Sequence, residues 1–266
     1  MNRFTDIIRV AVLPLDIVQG DKHANLKAVA DAMEKLPQHT DLLVLPELFS
    51  TGFINNSETL KELSERNTGN TIDKLKELAD KHSVAIAGSY LAFTAPHVYN
   101  RAFIIEPNGD ETFYDKRHVF SLGGEAEHIN SGNTHIPVVR FRGWNIAIAV
   151  CYDLRFPVWC RARNASYDML LFPSNWPLSR GYAFSQLLIA RAIENQCCVV
   201  GANRGGSDEF GSYDGLSQIY NWLGKPVGEP AEGTPFIVAD LSRQKQDEFR
   251  EKFPAFRDAD NFTISI

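Results

Sequence analysis

The sequence predicts an α/β fold of mixed sheets covered by helices, in one domain over residues 1–266. Three observations lead there. Apolar runs of strand length recur, among them IIRVAVLPL at 7–15, DLLVLPEL at 41–48 and DMLLFPS at 168–174. Stretches with apolar residues at helical spacing separate many of these runs, as strand–helix–strand crossovers require. Strand-like pairs about tight turns add antiparallel hairpins, which argues against a purely parallel, doubly wound sheet.

Taken in order, 7–15 is a buried first strand. A helix over 21–36 follows, with Leu26, Val29, Ala30, Met33 and Leu36 on one stripe. The strand at 41–48 ends where Pro46 removes a ladder N–H. A helix at about 70–82 carries Ile72, Leu75 and Leu78 and leads into the strand SVAIAGSY at 83–90. VYNRAFIIE and ETFYDK pair about the Pro107–Asp110 turn, and IPVVRFRGWNIAIAV folds back near Gly143 beyond a glycine-rich loop at 121–133. The spacing then predicts a helix at about 155–165, a strand at 168–174, a helix at about 181–194 and a strand at 197–203. GLSQIYNWLGKPVGEP reads as strand, turn and strand, TPFIVADL as a strand, and SRQKQDEFREKF as a short polar helix. No low-complexity linker or internal repeat divides the chain.

Composition narrows the function. Lys and Arg number 27 against 33 Asp and Glu, with the signs mixed along the chain, so there is no basic stripe for nucleic acid. The longest apolar runs are far too short for a membrane span, and Asp6 and Arg9 interrupt an N-terminus that does not read as a signal peptide. Cys151, Cys160, Cys197 and Cys198 lack metal-ligand spacing and fit free thiols in a reducing, cytoplasmic compartment. The absence of a C-x-x-C pair weighs against a thiol redox protein.

Three segments place a reactive group where an apolar strand ends, the usual position of sites in open α/β folds. Glu47 follows LLVLP, and desolvation there would raise its pKa toward that of a general base. Cys151 follows IAIAV at a strand-to-helix corner, beside Asp153 and Arg155; the start of a helix would supply N–H groups that stabilise a thiolate. Lys116 follows ETFYD, where a cation would lower the thiol pKa and stabilise an oxyanion. Spacing alone leaves His118 as a rival partner for the cysteine. Cys160, Cys197 and Cys198 read as core packing.

Together these segments, LLVLPELFSTGF, YDKRHVF and IAVCYDLRFP, resemble the signatures of the nitrilase superfamily of carbon–nitrogen hydrolases, from about residue 7 to the C-terminus. The resemblance implies a four-layer α-β-β-α sandwich with two mixed β-sheets, a catalytic triad of Glu47, Lys116 and Cys151, and a homodimer. It also implies a supporting acid at Glu125, with Glu127 the reserve. The closer resemblance is to bacterial omega-amidases, carried by CYDLRFPVWCR, SNWPLSRGYAFSQLLIARAIENQ, GANRGGSD and REKFPAFRDAD. One departure stands out: Phe184 and Ser185 occupy positions where many relatives carry tryptophan or histidine.

That resemblance implies hydrolysis of the terminal amide of 2-oxoglutaramate or 2-oxosuccinamate through a cysteine thioester, with no cofactor or metal, and a place in methionine salvage. Lys116 and the Tyr152 N–H would hold the oxyanion, Trp176 would line an apolar wall, and Arg180 would bind the substrate carboxylate, with Arg155 and Arg204 as alternatives. Other readings are an N-carbamoyl amino acid amidohydrolase, a nitrile-hydrolysing enzyme or aliphatic amidase of the same superfamily, and a non-catalytic α/β binding protein.

Overall fold

Strand β1 (Ile7–Val12), helix α1 (Lys22–Met33), β2 (Leu42–Val44), a short α2 (Ser57–Leu63), α3 (Asn70–His82) and β3 (Ala85–Thr94) open the computed structural model, which describes residues 6–208 and 210–266. β4 (His97–Ile105), β5 (Glu111–Asp115), β6 (Val138–Phe141) and β7 (Trp144–Ile148) are the expected hairpin strands. β8 (Met169–Ser174), α4 (Gly181–Asn195) and β9 (Cys198–Asn203) follow. The chain continues through a small hairpin, β10 (Ser207–Asp208) and β11 (Gly211–Ser212), to β12 (Gln218–Tyr220), β13 (Glu229–Pro230), β14 (Ile237–Ser242) and α5 (Arg243–Lys252).

These strands form a seven-stranded sheet, β13-β14-β1-β2-β3-β4-β5, and a five-stranded sheet, β12-β9-β8-β7-β6. In each, a parallel trio, β1-β2-β3 or β7-β8-β9, is flanked by antiparallel strands. The period-two alternation of the strands assigns their faces. Ile8, Val10 and Val12 share a core with Ile146, Ile148 and Leu171 of the second sheet. Ala11, Leu43 and Ile86 turn the other way, onto Leu26, Val29 and Met33 of α1 and Ile72, Leu75 and Leu78 of α3. On the far side α4 lays Phe184 and Leu188 against β9, where a Cβ on Gly201 would overlap Leu188. The architecture is the expected four-layer α-β-β-α sandwich. Phe184 serves this packing, with its ring 5.3 Å from that of Trp176.

The expected helix at 155–165 is absent. Cys151–Arg155 is a 3₁₀ turn, and the chain leaves it at Phe156 with φ −111° and ψ 89° because the Pro157 ring disfavours helical geometry in the residue before it. Asn164 and Ala165, both at positive φ, form part of a second short turn. Helix α2 escaped the periodicity reading because seven residues give fewer than two full repeats; its start is fixed by Asn56 Oδ1, which accepts from the Glu58 and Thr59 N–H groups. No helix among the described residues is long and apolar enough to cross a membrane.

Candidate active site

Both parallel trios run in the sense that brings their C-terminal ends to one region, and the reactive side chains sit just past those ends. After Pro46 the Glu47 N–H turns to the Ser174 carbonyl of β8 (3.4 Å), which carries the carboxylate between the sheets. Lys116 extends the β4–β5 ladder by one residue, its N–H donating to the Asn100 carbonyl at 2.9 Å. Cys151, which opens the 3₁₀ turn beyond β7, has φ +43°, a left-handed conformation strained for a residue with a Cβ. That sharp turn resembles a nucleophile elbow in outline. The Tyr152 N–H lies in the first turn after it, where no intrahelical acceptor is in reach.

Glu47, Lys116 and Glu125 are buried as one cluster. Lys116 Nζ donates to Glu47 Oε1 (2.8 Å) and to both oxygens of Glu125 (3.0 and 2.8 Å). Asn100 Nδ2 also reaches both acids, at 2.7 Å to Glu47 Oε1 and 3.2 Å to Glu125 Oε1. The Phe120 N–H donates to Glu125 Oε2 at 2.6 Å, pinning the loop that carries this acid. Burial opposes the Lys116 charge, but Glu125 and Glu47 outweigh it and raise its pKa, so the ammonium is a fixed cation. Burial raises the Glu47 carboxyl above its ordinary range, against the pull of Lys116 and with the help of Glu125.

The thiol departs from expectation. A lysine beside Cys151 should lower its pKa, yet burial pushes it well above the ordinary value and Glu47 adds to the rise; Lys116 and the Asn175 backbone N–H only partly oppose this. Burial thus favours the neutral thiol over a standing thiolate, and for this sulfur to act as a nucleophile a neighbouring base would have to take its proton.

His118 lies outside this cluster. Its ring stacks on Phe156 at 3.6 Å and Nδ1 sits 2.7 Å from Asp153 Oδ1. Asp153, fully buried, also accepts from the His118 N–H (3.0 Å), the Tyr114 hydroxyl (2.9 Å) and the Val150 N–H (3.0 Å). This carboxylate therefore ties the Cys151 turn to the segment bearing Lys116. It is satisfied by these partners and does not hold Arg155.

The cluster opens into a cavity of about 270 Å³ lined by Cys151, Tyr152, Arg155, Trp176, Arg180 and Phe120, among others. The Arg155 guanidinium lies over Trp176, 4.6 Å from the ring centroid, and Arg180 lies over Phe120 at 5.0 Å. Neither makes a salt bridge among the described residues. Glu127 is exposed and away from the cluster. Arg204 is also removed from the cavity wall: it is buried, bonded to Asp208 at 2.8 Å and to the Ile17 carbonyl at 3.0 Å, and braces the wall residue Tyr213 from behind at 4.5 Å. Sequence reasoning missed Asn100, whose only signal is a polar residue among the apolar residues Val98, Ala102 and Ile104 at alternate positions of β4. It also missed the wall residues Phe53, Phe210 and Tyr213, which separate loops contribute. Among the described residues, no group of three or more His, Cys, Asp and Glu side chains is arranged to hold a metal ion.

Comparison with known proteins places this geometry in a family. The carbon-nitrogen hydrolase family model matches residues 9–251. The chain is 39% identical to omega-amidase YafV of Yersinia enterocolitica, over 97% of this chain and 98% of that protein. It is 34% identical to a 2-oxoglutaramate amidase of Bacillus subtilis, over 94% and 96%. A CN-hydrolase superfamily protein of Xanthomonas campestris, solved with an arsenic adduct in its active site, superimposes with a TM-score of 0.90 at 34% identity, covering 97% of this chain and 99% of its own. A match over most of the chain, together with the shared sandwich, establishes that this chain belongs to the carbon-nitrogen hydrolase family.

Proposed function

We propose that this protein is an omega-amidase that hydrolyses the terminal amide of 2-oxoglutaramate or 2-oxosuccinamate to the 2-oxo dicarboxylic acid and ammonia. The observation that carries the reading is one small cavity with Glu47, Lys116 and Cys151 at its base and two aromatic-backed arginines on its wall. A volume of about 270 Å³ is below the roughly 300–1,000 Å³ of drug-sized sites, which suits a metabolite of a few carbons. The names of the relatives point the same way.

In this mechanism Glu47 takes the Cys151 proton as the sulfur attacks the amide carbonyl. Lys116 and the Tyr152 N–H stabilise the oxyanion, an interaction complete only once charge has developed. Glu47 then gives its proton to the amide nitrogen; the C–N bond breaks, ammonia leaves and a thioester to Cys151 remains. Water donates a proton to Glu47 while its oxygen attacks the thioester, and collapse returns the free acid and the thiol. Glu125 holds Lys116 in place throughout.

Arg180 is the proposed carboxylate contact and Arg155 the second cation of the wall, with Trp176 flanking the methylene chain. A guanidinium stacked on an aromatic face keeps its donor edge free for bidentate binding. Glutamine would place an ammonium where the 2-oxo oxygen belongs, facing the same cations. In steady-state assays kcat/KM for 2-oxoglutaramate is expected to exceed that for glutamine by at least about 100-fold, the scale of a few kcal/mol of like-charge mismatch. Equal values, or a preference for an uncharged aliphatic amide, would overturn the substrate assignment.

The four cysteines are free and buried, which agrees with a cytoplasmic location. A role in methionine salvage is part of the same proposal. A homodimer through α4 is supported by Tyr182 and Ile193, which are exposed on one helix and offer apolar area for an isologous contact. Sedimentation is expected at about 60 kDa, twice the 29.8 kDa chain; a fully active 30 kDa species would contradict the dimer.

A further inference from the structure

We infer that Asn100 is a positioning residue for the general base: its side-chain amide holds Glu47 in the orientation, and in the ionised form, that accepts the Cys151 proton. The inference rests on the proposed role of Glu47.

Asn100 lies on β4 at an inward-facing position, in register with Ala102 and Ile104, which face the core between the sheets. It is 1% exposed and touches the site in three ways. Its carbonyl accepts the Lys116 N–H at 2.9 Å and so fixes the backbone of the lysine. Its Nδ2 donates to Glu47 Oε1 at 2.7 Å and to Glu125 Oε1 at 3.2 Å. Lys116 Nζ donates to the same two acids, so two donors bridge two acceptors in a closed four-membered arrangement. Both bonds to Glu47 fall on Oε1, which leaves Oε2 as the oxygen for the thiol.

The amide orientation follows from its neighbours, because the opposite one would set a carbonyl oxygen against two carboxylates. This orientation strands the Asn100 Oδ1 atom, which is buried with no hydrogen-bond partner. A residue serving packing alone would do better as leucine, which fills a similar volume and buries no orphaned acceptor. The unpaired oxygen is thus the penalty of keeping a neutral donor between two acids that share one ammonium. The charged and titratable groups facing Glu47 are Lys116, Glu125 and the Cys151 thiol. Of the groups that hydrogen-bond its carboxylate in the resting site, Asn100 favours the anion without adding a charge, and it leaves the count of cations and acids unchanged.

The test is the pH dependence of kcat/KM and kcat for the amide substrate in wild type, Asn100→Leu and Asn100→Ala, with melting temperature measured on each and Glu47→Gln as the reference. Loss of the donor is expected to move the acid limb of kcat/KM upward by about 1 pH unit and to lower kcat at its plateau about 10-fold or more, with KM within about threefold. Asn100→Leu is expected to melt no lower than wild type. A folded Asn100→Leu or Asn100→Ala with an unmoved acid limb would overturn the inference, as would failure of both to fold, which would assign Asn100 to the scaffold. The underlying reading fails separately: a Glu47→Gln enzyme of near wild-type activity would remove Glu47 as the base whatever the Asn100 variants do.

Discussion

Cys151→Ala is expected to abolish amide hydrolysis in a protein that still folds, with kcat falling on the order of a millionfold, the scale seen when a covalent nucleophile is removed. No other group in the cavity can replace it: Glu47, Glu125 and Lys116 are locked to one another by hydrogen bonds at 2.8–3.0 Å. The fold should survive because Cys151 lies past the end of β7 at Ile148, outside the strand ladder, and because the turn is held by Asp153 through the Val150, Tyr114 and His118 donors. Alanine is no less compatible with φ +43° than cysteine is. Cys160→Ala is the contrast. That thiol is fully buried, bonds the Asp153 carbonyl at 3.3 Å and lies outside the cavity wall, so its loss should cost about 1 kcal/mol of stability and leave kcat near wild type. Urea unfolding alongside steady-state kinetics separates the two effects. Similar losses of activity in both variants would remove Cys151 from its special role.

Glu47→Gln is the second large effect, with kcat expected to fall by about 10²–10⁴-fold, the usual contribution of a positioned general base. Glutamine keeps an oxygen that Asn100 and Lys116 can reach but cannot take a proton. In the wild type, burial and Glu125 place the Glu47 pKa above its ordinary value despite Lys116, so activity should fail on the acid side at a pH above the usual carboxylate range. The stability consequence has a definite sign. A carboxyl whose folded pKa is raised weakens the fold as pH climbs from the unfolded toward the folded pKa, and by a constant amount above it. At pH 7 the substitution removes that penalty, and Glu47→Gln should melt no lower than wild type. An inactive variant that is also strongly destabilised would indicate that Glu47 serves as a structural ion-pair partner of Lys116.

The residues at strand ends were legible in the sequence because a strand-like run gives way abruptly to a chemically reactive side chain, even though that side chain is itself buried. LLVLP-Glu47, ETFYD-Lys116 and IAIAV-Cys151 all show it, and the structure brings the three together. Asn100 was not legible, since its importance comes from cross-strand register: it sits one step beyond the Arg101–Asp115 pair, opposite a lysine that local sequence does not place beside it. His118 looked like a catalytic histidine because it neighbours Lys116 in sequence, but the chain bends at 117–118 once β5 has ended, and Asp153 captures both the His118 N–H and its ring, which lies on Phe156. The expected helix after Cys151 failed at Pro157, whose effect on Phe156 outweighs the apolar spacing of the segment. Arg204 shows the limit of reasoning from chain position, because its pairing with Asp208 is local but its burial depends on the distant Ile17 loop.

The covalent step at the centre of the account is open to direct measurement. During turnover of 2-oxoglutaramate, rapid acid quench followed by intact-mass analysis and peptide mapping should show a single acyl adduct, one substrate less ammonia, on the peptide carrying Cys151, with ammonia released no later than the adduct forms. An adduct on Cys160, Cys197 or Cys198, or ammonia release in step with free 2-oxo acid and no acylated enzyme at any quench time, would contradict it.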